Sequence, residues 1–295
     1  MGKTTLLIDG NAVAYTISIS NCENEKDFAR SFLMKLREYA KQFTSLPKAL
    51  IFFDDKSGGN WREQLYPDYQ KGRKAMRDKY TEEQKDEALR RSSYIKYLKE
   101  QIEKSNHMYL HYPHTETDDL VSLYVNNIQE EGETVIILTT DKDLFQLIRE
   151  KGNKKVQVLF LIKRKLVKDE KLGKTALQEK IWLGDNSDSI PGVCKNVGKT
   201  TFPQLITFLR KMKELNIDPT DKDNAKKVCE SINIKYIPSF SNFDRDQLEL
   251  NRKLINLNYV VELDAKENNV KTNYLKENIN KALLSPFSLF SIRLT

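Results

Sequence analysis

Short apolar runs that end in acids constrain this chain most strongly. Leu6 to Ile8 runs directly into Asp9, Ile51-Phe52-Phe53 into Asp54, and Val135 to Leu138 into Asp141 and Asp143 after two threonines. Runs of this length bounded by polar residues read as buried strands. Met108 to Tyr112 and Val156 to Ile162 extend the series. Segments of helical period lie between them. Phe28, Phe32, Leu36, Tyr39, Ala40 and Phe43 trace one apolar face, Ala88, Ile95, Leu98 and Ile102 a second, and Leu120, Leu123, Tyr124 and Ile128 a third. Thr117 stands as the N-cap of the third, ahead of two acidic first-turn residues. Strands alternating with helices predict an α/β fold, a mainly parallel sheet flanked by helices.

The pattern changes near residue 172. Thr175 to Leu183, Thr200 to Lys213, Lys222 to Ser231 and Leu248 to Leu257 have helical period, and no strand is convincing there. The chain is therefore expected to divide into an α/β domain, residues 1–172, and a smaller helical domain, residues 173–295.

In an open parallel sheet, ligands bind beyond the carboxyl ends of the strands. Three strands thus deliver acids to one edge. Glu116, Asp118 and Asp119 open the third helix right after the run ending at Tyr112, which aims them at the same edge. Asp185 and Asp188 lie in a turn-rich segment where the helical part begins. Any one of these acids alone reads as an ordinary helix cap or strand end. The full set is different, because like charges a few ångströms apart do not all stay ionised without cations among them. An all-oxygen set with no matching His or Cys cluster points to Mg²⁺ or Mn²⁺ rather than zinc.

Charge distribution sharpens this. The 295 residues hold 49 Lys plus Arg against 42 Asp plus Glu, a formal +7. Five of the nine residues from Lys71 to Lys79 are basic, as are six of the twelve from Lys163 to Lys174. Basic blocks around isolated acidic clusters suit a protein that holds a polyanion and also holds cations. The polar stretch from Lys56 to Thr81 is too long for an ordinary connection. Its Trp61, Arg62, Tyr66, Tyr69, Lys71, Arg73, Lys74, Arg77 and Lys79 interleave rings with cations, as grips on single-stranded nucleic acid do; the alternative is a solvated loop with some rings tucked into a core. No run of about 18 apolar residues occurs and Asp9 interrupts the first apolar run, so neither a membrane span nor a signal peptide is expected. Three widely spaced cysteines, Cys22, Cys194 and Cys229, argue against a disulfide framework. A cytoplasmic protein is the expectation, with no membrane partner.

Two further patterns carry less. Gly198-Lys199-Thr200 imitates the end of a phosphate-binding P-loop, but five residues rather than four separate it from Gly192, no strand precedes it, and Gly2-Lys3-Thr4 lacks an upstream loop altogether. His107, His111 and His114 sit on and beyond a run that reads as a strand, which separates the first two and leaves loop or strand-edge histidines as the plainer reading.

Leu-Leu-Ile-Asp-Gly-Asn at 6–11, Phe-Phe-Asp at 52–54, Glu-Thr-Asp-Asp at 116–119, Thr-Thr-Asp-Lys-Asp at 139–143 and Gly-Asp-Asn-Ser-Asp-Ser-Ile-Pro-Gly-Val at 184–193 resemble the ordered motifs of the structure-specific 5′ nucleases. That family includes flap endonucleases, 5′ nuclease domains of bacterial DNA polymerase I and phage 5′ exonucleases. Lys56-Ser57-Gly58 followed by Trp61-Arg62 most resembles the phage ribonuclease H branch. The resemblance covers residues 4 to 210. It implies a helical arch over about residues 56–105 and two-metal hydrolysis of a phosphodiester by two Mg²⁺ ions, for which Mn²⁺ substitutes. Asp9, Asp54, Glu116 and Asp118 would hold one ion, and Asp119, Asp141, Asp143, Asp185 and Asp188 would hold or surround the second. Arg73, Lys71 and Arg62 would face the scissile phosphate. Family members often read Tyr-Lys-x-x-Arg where this chain has Tyr69-Gln70-Lys71-Gly72-Arg73. Trp61, Tyr69, Lys74 and Arg77 would contact nucleic acid. Ile190 to Val193 and Val197-Gly198-Lys199-Thr200 resemble a helix–hairpin–helix that faces duplex phosphate, with only Gly198 left of the usual two turn glycines.

The substrates implied are branched or 5′-ended DNA and RNA–DNA duplexes, with removal of RNA primers and flaps in replication. A monomer is implied, in host cytoplasm if the chain is phage-encoded, with a single-stranded-DNA-binding or other replication protein as a candidate partner of residues 210–295. Two other readings stay open: a non-catalytic nucleic-acid-binding module on the same fold, and an acidic-cluster endoribonuclease.

Overall fold

The apolar runs that end in acids fold as neighbouring strands. In the computed structural model, which describes residues 3–43, 48–55, 59–105, 107–235 and 237–284, β1 (Thr4–Asp9), β2 (Lys48–Phe52), β3 (Thr134–Thr139), β4 (Arg149–Lys151), β5 (Lys154–Phe160) and β6 (Lys165–Val167) make one sheet. Its order is β2-β1-β3-β5-β4, with β6 also on β5. β2, β1, β3 and β5 run parallel, and β4 and β6 antiparallel. Lys56-Ser57-Gly58 and Gly2 lie outside the described residues.

Register brings the acids level. Asp9 pairs with Phe52, and Ile8 with both Ile51 and Leu138. Asp9, Asp54 and Asp141 therefore leave the same edge of three adjacent strands, with β1 in the middle. β1 connects outward to β2 on one side, and the chain then crosses to β3 on the other, so the edge at β1 is a switch point where an open sheet forms a crevice.

Alternating side chains of the strands feed two apolar layers. On one face Leu6, Ile8, Ile51 and Leu138 pack with Phe28, Phe32 and Leu36 of α2 (Glu25–Ala40) and Tyr94, Leu98 and Ile102 of α5 (Glu82–Lys104). On the other, Leu7, Leu50, Val135 and Ile137 pack with Leu120, Val121 and Leu123 of α6 (Thr117–Leu123). Between β1 and α2 stands the short α1 (Gly10–Tyr15); between β2 and α5 stand α3 (Trp61–Leu65) and α4 (Lys71–Asp78). α4 buries none of its residues. α5 opens with a capping box in which Thr81 Oγ1 accepts from the Gln84 amide at 3.3 Å and Gln84 Oε1 from the Thr81 amide at 3.0 Å.

Three expectations differ from what forms. Met108 to Tyr112 is no strand but a single parallel bridge, Leu110 to Phe52, because Tyr112-Pro113 turns the chain away. Glu116, not Thr117, is the N-cap of α6, and no side chain caps it; the Thr117 amide donates to Asp54 Oδ1 instead. The chain also divides differently from a cut at residue 172. One compact unit comprises Met1–Leu65, Arg77–Lys174 and Leu257–Thr295, and the other Tyr66–Met76 and Thr175–Asn256. The return of the chain to the first unit has an apolar cause. Leu257 and Val260, at the start of α11 (Asn258–Lys266), and Leu275 and Ala282 of α12 (Val270–Ala282) join the layer around Leu7 and Val135.

The second unit is helical, as expected. α7 (Glu170–Leu183) from Thr175 onward, α8 (Phe202–Glu214), α9 (Lys222–Ser231) and α10 (Arg245–Ile255) enclose Trp182, Phe202, Leu205, Phe208, Val228 and Phe240. No helix among the described residues is long and apolar enough to cross a membrane.

Candidate metal centre

Asp9 is set by the strand-to-helix junction. As the last residue of β1 it N-caps α1, accepting from the Ala12 amide at Oδ1 (2.9 Å) and from Thr139 Oγ1 at Oδ2 (2.9 Å). The helix starts at once only because residue 10 is glycine. A Cβ there would meet the Phe53 ring at 2.6 Å and the Phe52 carbonyl oxygen at 2.7 Å. Asp54 is held by the Thr117 amide, and Asp141 Oδ1 accepts from the Asp143 amide at 2.8 Å.

Five carboxylates feel one another here. Burial pushes Asp9 up to about 7, helped by the charges of Asp54 and Asp141, against the opposing pull of the Ala12 and Thr139 hydrogen bonds. Burial also raises Asp118 well above the usual carboxylate range, reinforced by Asp141, Asp9, Glu116 and Asp54. Hard divalent cations are what such a donor set fits: only oxygens, held at a strand edge and mutually repelling. Two buried polar atoms beside it, Asn11 Nδ2 and Thr117 Oγ1, lack a protein partner, so the pocket also has polar capacity that ions and their waters can satisfy.

Asp119, one residue on, turns the other way. It is fully buried and accepts bidentately from Arg62, Nη2 to Oδ1 at 2.8 Å and Nη1 to Oδ2 at 3.1 Å, while Trp61 Nε1 donates to Oδ2 at 2.9 Å. Arg62, only 3% exposed, also donates to Glu116 Oε2 at 2.7 Å. The guanidinium stands 4.3 Å from the Trp61 ring, which packs on Tyr259 at 5.6 Å. Asp119 is thus the counter-ion of Arg62, Arg62 is buried against two carboxylates, and half-buried Trp61 packs on Tyr259. Tyr69 is 8% exposed.

The remaining expected residues fall as follows. Asp143 is half-buried and opens a single 3₁₀ turn. In the second unit Asp185 accepts from Ser187 and pairs with Lys180 at 2.6 Å; burial would raise its pKa, but these bonds outweigh it and the net shift is downward. Asp188 pairs with Arg73 at 2.6 Å, and Arg73 Nε also donates to the Ser187 carbonyl at 3.0 Å. Lys71 is exposed and pairs with Asp68. Lys74 and Arg77 are exposed. Gly198, Lys199 and Thr200 form an exposed turn before α8; Lys199 pairs with Glu179 at 3.2 Å, and the Gly198 amide donates to Thr201 Oγ1. Asn196 takes the left-handed conformation (φ 60°) that a glycine would otherwise supply.

A cleft of about 770 Å³ opens within the first unit beside Asp54. Asn11, Tyr15, Arg77, Arg91 and Lys99 line it. Tyr15 is 59% exposed with the Arg91 guanidinium 5.1 Å from its ring. Lys99 lies over the Phe53 ring at 4.6 Å. Tyr15, Arg91 and Lys99 were not singled out from the sequence. The signal was available in the last two: Glu87, Arg91, Ile95 and Lys99 recur every four residues along one flank of α5.

Residues 4–181 match the family model described as 5′-3′ exonuclease, N-terminal resolvase-like domain. The thermostable DNA polymerase I of Thermus filiformis is 26% identical over 246 residues, covering 78% of this chain and 27% of that protein. The 5′-3′ exonuclease of Buchnera aphidicola subsp. Acyrthosiphon pisum is 27% identical over 199 residues, covering 64% of this chain and 65% of that protein. The chain thus spans about a quarter of the polymerase and just under two thirds of the exonuclease. A solved structure of the bacteriophage T5 flap endonuclease, a pseudo-enzyme-product complex with DNA and metal ions, has the same fold: TM-score 0.70, 20% identity, 95% of this chain and 99% of that one.

Proposed function

Since the chain belongs to the 5′-3′ exonuclease N-terminal resolvase-like family, we propose that it is a divalent-metal-dependent 5′ nuclease. Its substrates are branched or 5′-ended DNA and RNA–DNA duplexes, and its reaction is hydrolysis of phosphodiesters near the 5′ end, as in removal of RNA primers and flaps. The observation that carries the reading is the cluster of Asp9, Asp54, Glu116, Asp118 and Asp141 at one strand edge, where burial, reinforced by the charges of the neighbouring carboxylates, raises Asp9 and Asp118.

Those five carboxylates would hold Mg²⁺, or Mn²⁺ in its place. The chemistry such ions would supply there is activation of water and compensation of the charge that builds on the phosphate oxygens. The chain's own residues do the rest. Thr139 and the Ala12 amide favour the ionised form of Asp9 and fix its orientation. The Thr117 amide does the same for Asp54 and ties it to the helix that carries Asp118. In the cleft, Arg77, Arg91 and Lys99 supply cations for backbone phosphates and Tyr15 offers a ring face to a base. The exposed α4 and the exposed first half of α5 suit an element that closes over a single strand. In the second unit, the exposed turn at Gly198, Lys199 and Thr200 suits contact with duplex phosphate.

The test uses 5′-labelled flap, nicked and hairpin substrates in Mg²⁺, with and without EDTA. The expected result is release of the label in short products carrying a 5′-phosphate, abolished by EDTA. Salt-sensitive binding without turnover would favour a binding module, and cleavage of circular single-stranded RNA would favour an endoribonuclease.

A further inference from the structure

The start of the basic aromatic stretch and the acidic cluster share one buried cation. Arg62 lies on α3, a helix of five residues, yet its guanidinium reaches two side chains more than fifty positions later, Glu116 and Asp119. Burying a guanidinium is costly unless it is paired and hydrogen-bonded. Here its fork meets Asp119 bidentately, a geometry that an ammonium does not reproduce. Trp61 adds a second tie to Asp119, and Tyr259 backs the Trp61 ring. Asp119 and Glu116 flank the residue that matters most: Glu116 caps α6 and Asp118 is in its first turn. With Asp119 held on one side and Glu116 held by one oxygen, the first turn of α6 is fixed in rotation and Asp118 is left facing Asp9, Asp54 and Asp141.

We propose that Arg62 is a positioning residue for the metal centre: docking of α3 through Trp61 and Arg62 orients Glu116 and the first turn of α6, so that ion affinity depends on α3 being seated. This rests on the nuclease reading. Arg62 touches neither phosphate nor ion in this scheme; it acts through two carboxylates. Groups that orient metal ligands from behind typically change ion affinity about ten- to a hundredfold when altered.

Mn²⁺ binding to the full chain, followed by calorimetry without nucleic acid, tests the proposal in Arg62→Lys and Trp61→Phe. Both variants are expected to bind Mn²⁺ more weakly, Arg62→Lys by about tenfold or more. Binding of flap DNA in EDTA should be unchanged, and cleavage by Arg62→Lys should recover at saturating Mn²⁺. Wild-type Mn²⁺ affinity in both variants, with weakened DNA binding in EDTA, would overturn the proposal and make Arg62 a phosphate contact. Should Arg62→Lys fail to fold, Trp61→Phe decides alone, since it keeps an aromatic ring, though a smaller one, and loses the Nε1 donor: weaker Mn²⁺ binding supports the proposal and unchanged binding overturns it. A wild-type chain that binds no Mn²⁺ removes the nuclease reading itself, a result distinct from wild-type binding that the variants leave unaltered.

Discussion

Thr139 Oγ1 donates to Asp9 Oδ2 at 2.9 Å, across the ends of two neighbouring parallel strands. This bond favours the ionised carboxylate, while burial and the charges of Asp54 and Asp141 oppose it and win, leaving Asp9 at about 7. An acid raised in this way binds its proton more tightly folded than unfolded. Its stabilising contribution is complete below its ordinary 3.8 and is lost as pH rises through about 7. Without divalent ions, the midpoint of thermal unfolding should therefore fall between pH 5 and pH 8, and Mg²⁺ should raise it more at pH 8 than at pH 5. Thr139→Val should move Asp9 higher still, read as a pH-dependent carboxyl signal in NMR. An ion effect that is the same at both pH values would contradict this.

Asp118 is destabilising in the metal-free chain for the same reason. Asp118→Asn should remove its charge with little change of shape, raising the unfolding midpoint in EDTA at pH 8. Cleavage of a 5′ flap in Mg²⁺ should fall by about a hundredfold or more, since even groups behind metal ligands cost up to that much. Gain of stability together with loss of activity is the signature to look for.

Gly10 admits no side chain, because its Cβ would sit 2.6 Å from the Phe53 ring and 2.7 Å from the Phe52 carbonyl oxygen. Gly10→Ala should cost about 1–3 kcal/mol by overpacking, measured by urea unfolding. Because the strain falls next to Asp9, cleavage should fall further than stability alone would explain.

Arg77 is exposed at the cleft and ties down no core. Arg77→Ala should leave the unfolding midpoint unchanged and weaken flap binding across sequences. The slope of log affinity against log salt should become shallower by about one. An unaltered slope would remove Arg77 from the phosphate contacts.

Much of the acidic edge was legible because strands announce their own ends. Asp9 and Asp54 follow apolar runs at once and Asp141 follows one after two threonines, and parallel register then aligns them without further information. Glu116 and Asp118 were legible as first-turn residues of a periodic helix. The pairing of Arg62 with Asp119 was not, since nothing local in either residue signals a partner 57 positions away. Asp119 and Asp118 look alike in sequence, and only the turn of a helix sends Asp118 to the acidic cluster and Asp119 to a buried cation. Tyr69 and Trp61 were read as stacking rings for the complementary reason: a ring next to cations looks the same in sequence whether it faces solvent or a core. The return of Leu257 to Leu284 to the first unit was equally hidden, because helical period shows that a face is apolar but not which layer it covers.

The central claim is that one strand edge holds divalent ions between carboxylates. Crystals of the chain soaked in Mn²⁺ and measured for anomalous scattering test it most directly. A peak bounded by oxygens of Asp9, Asp54, Glu116, Asp118 and Asp141, absent from Asp118→Asn crystals or weakened in them, is the result expected. Mn²⁺ bound elsewhere with that cluster empty, at a concentration that supports cleavage, would contradict it.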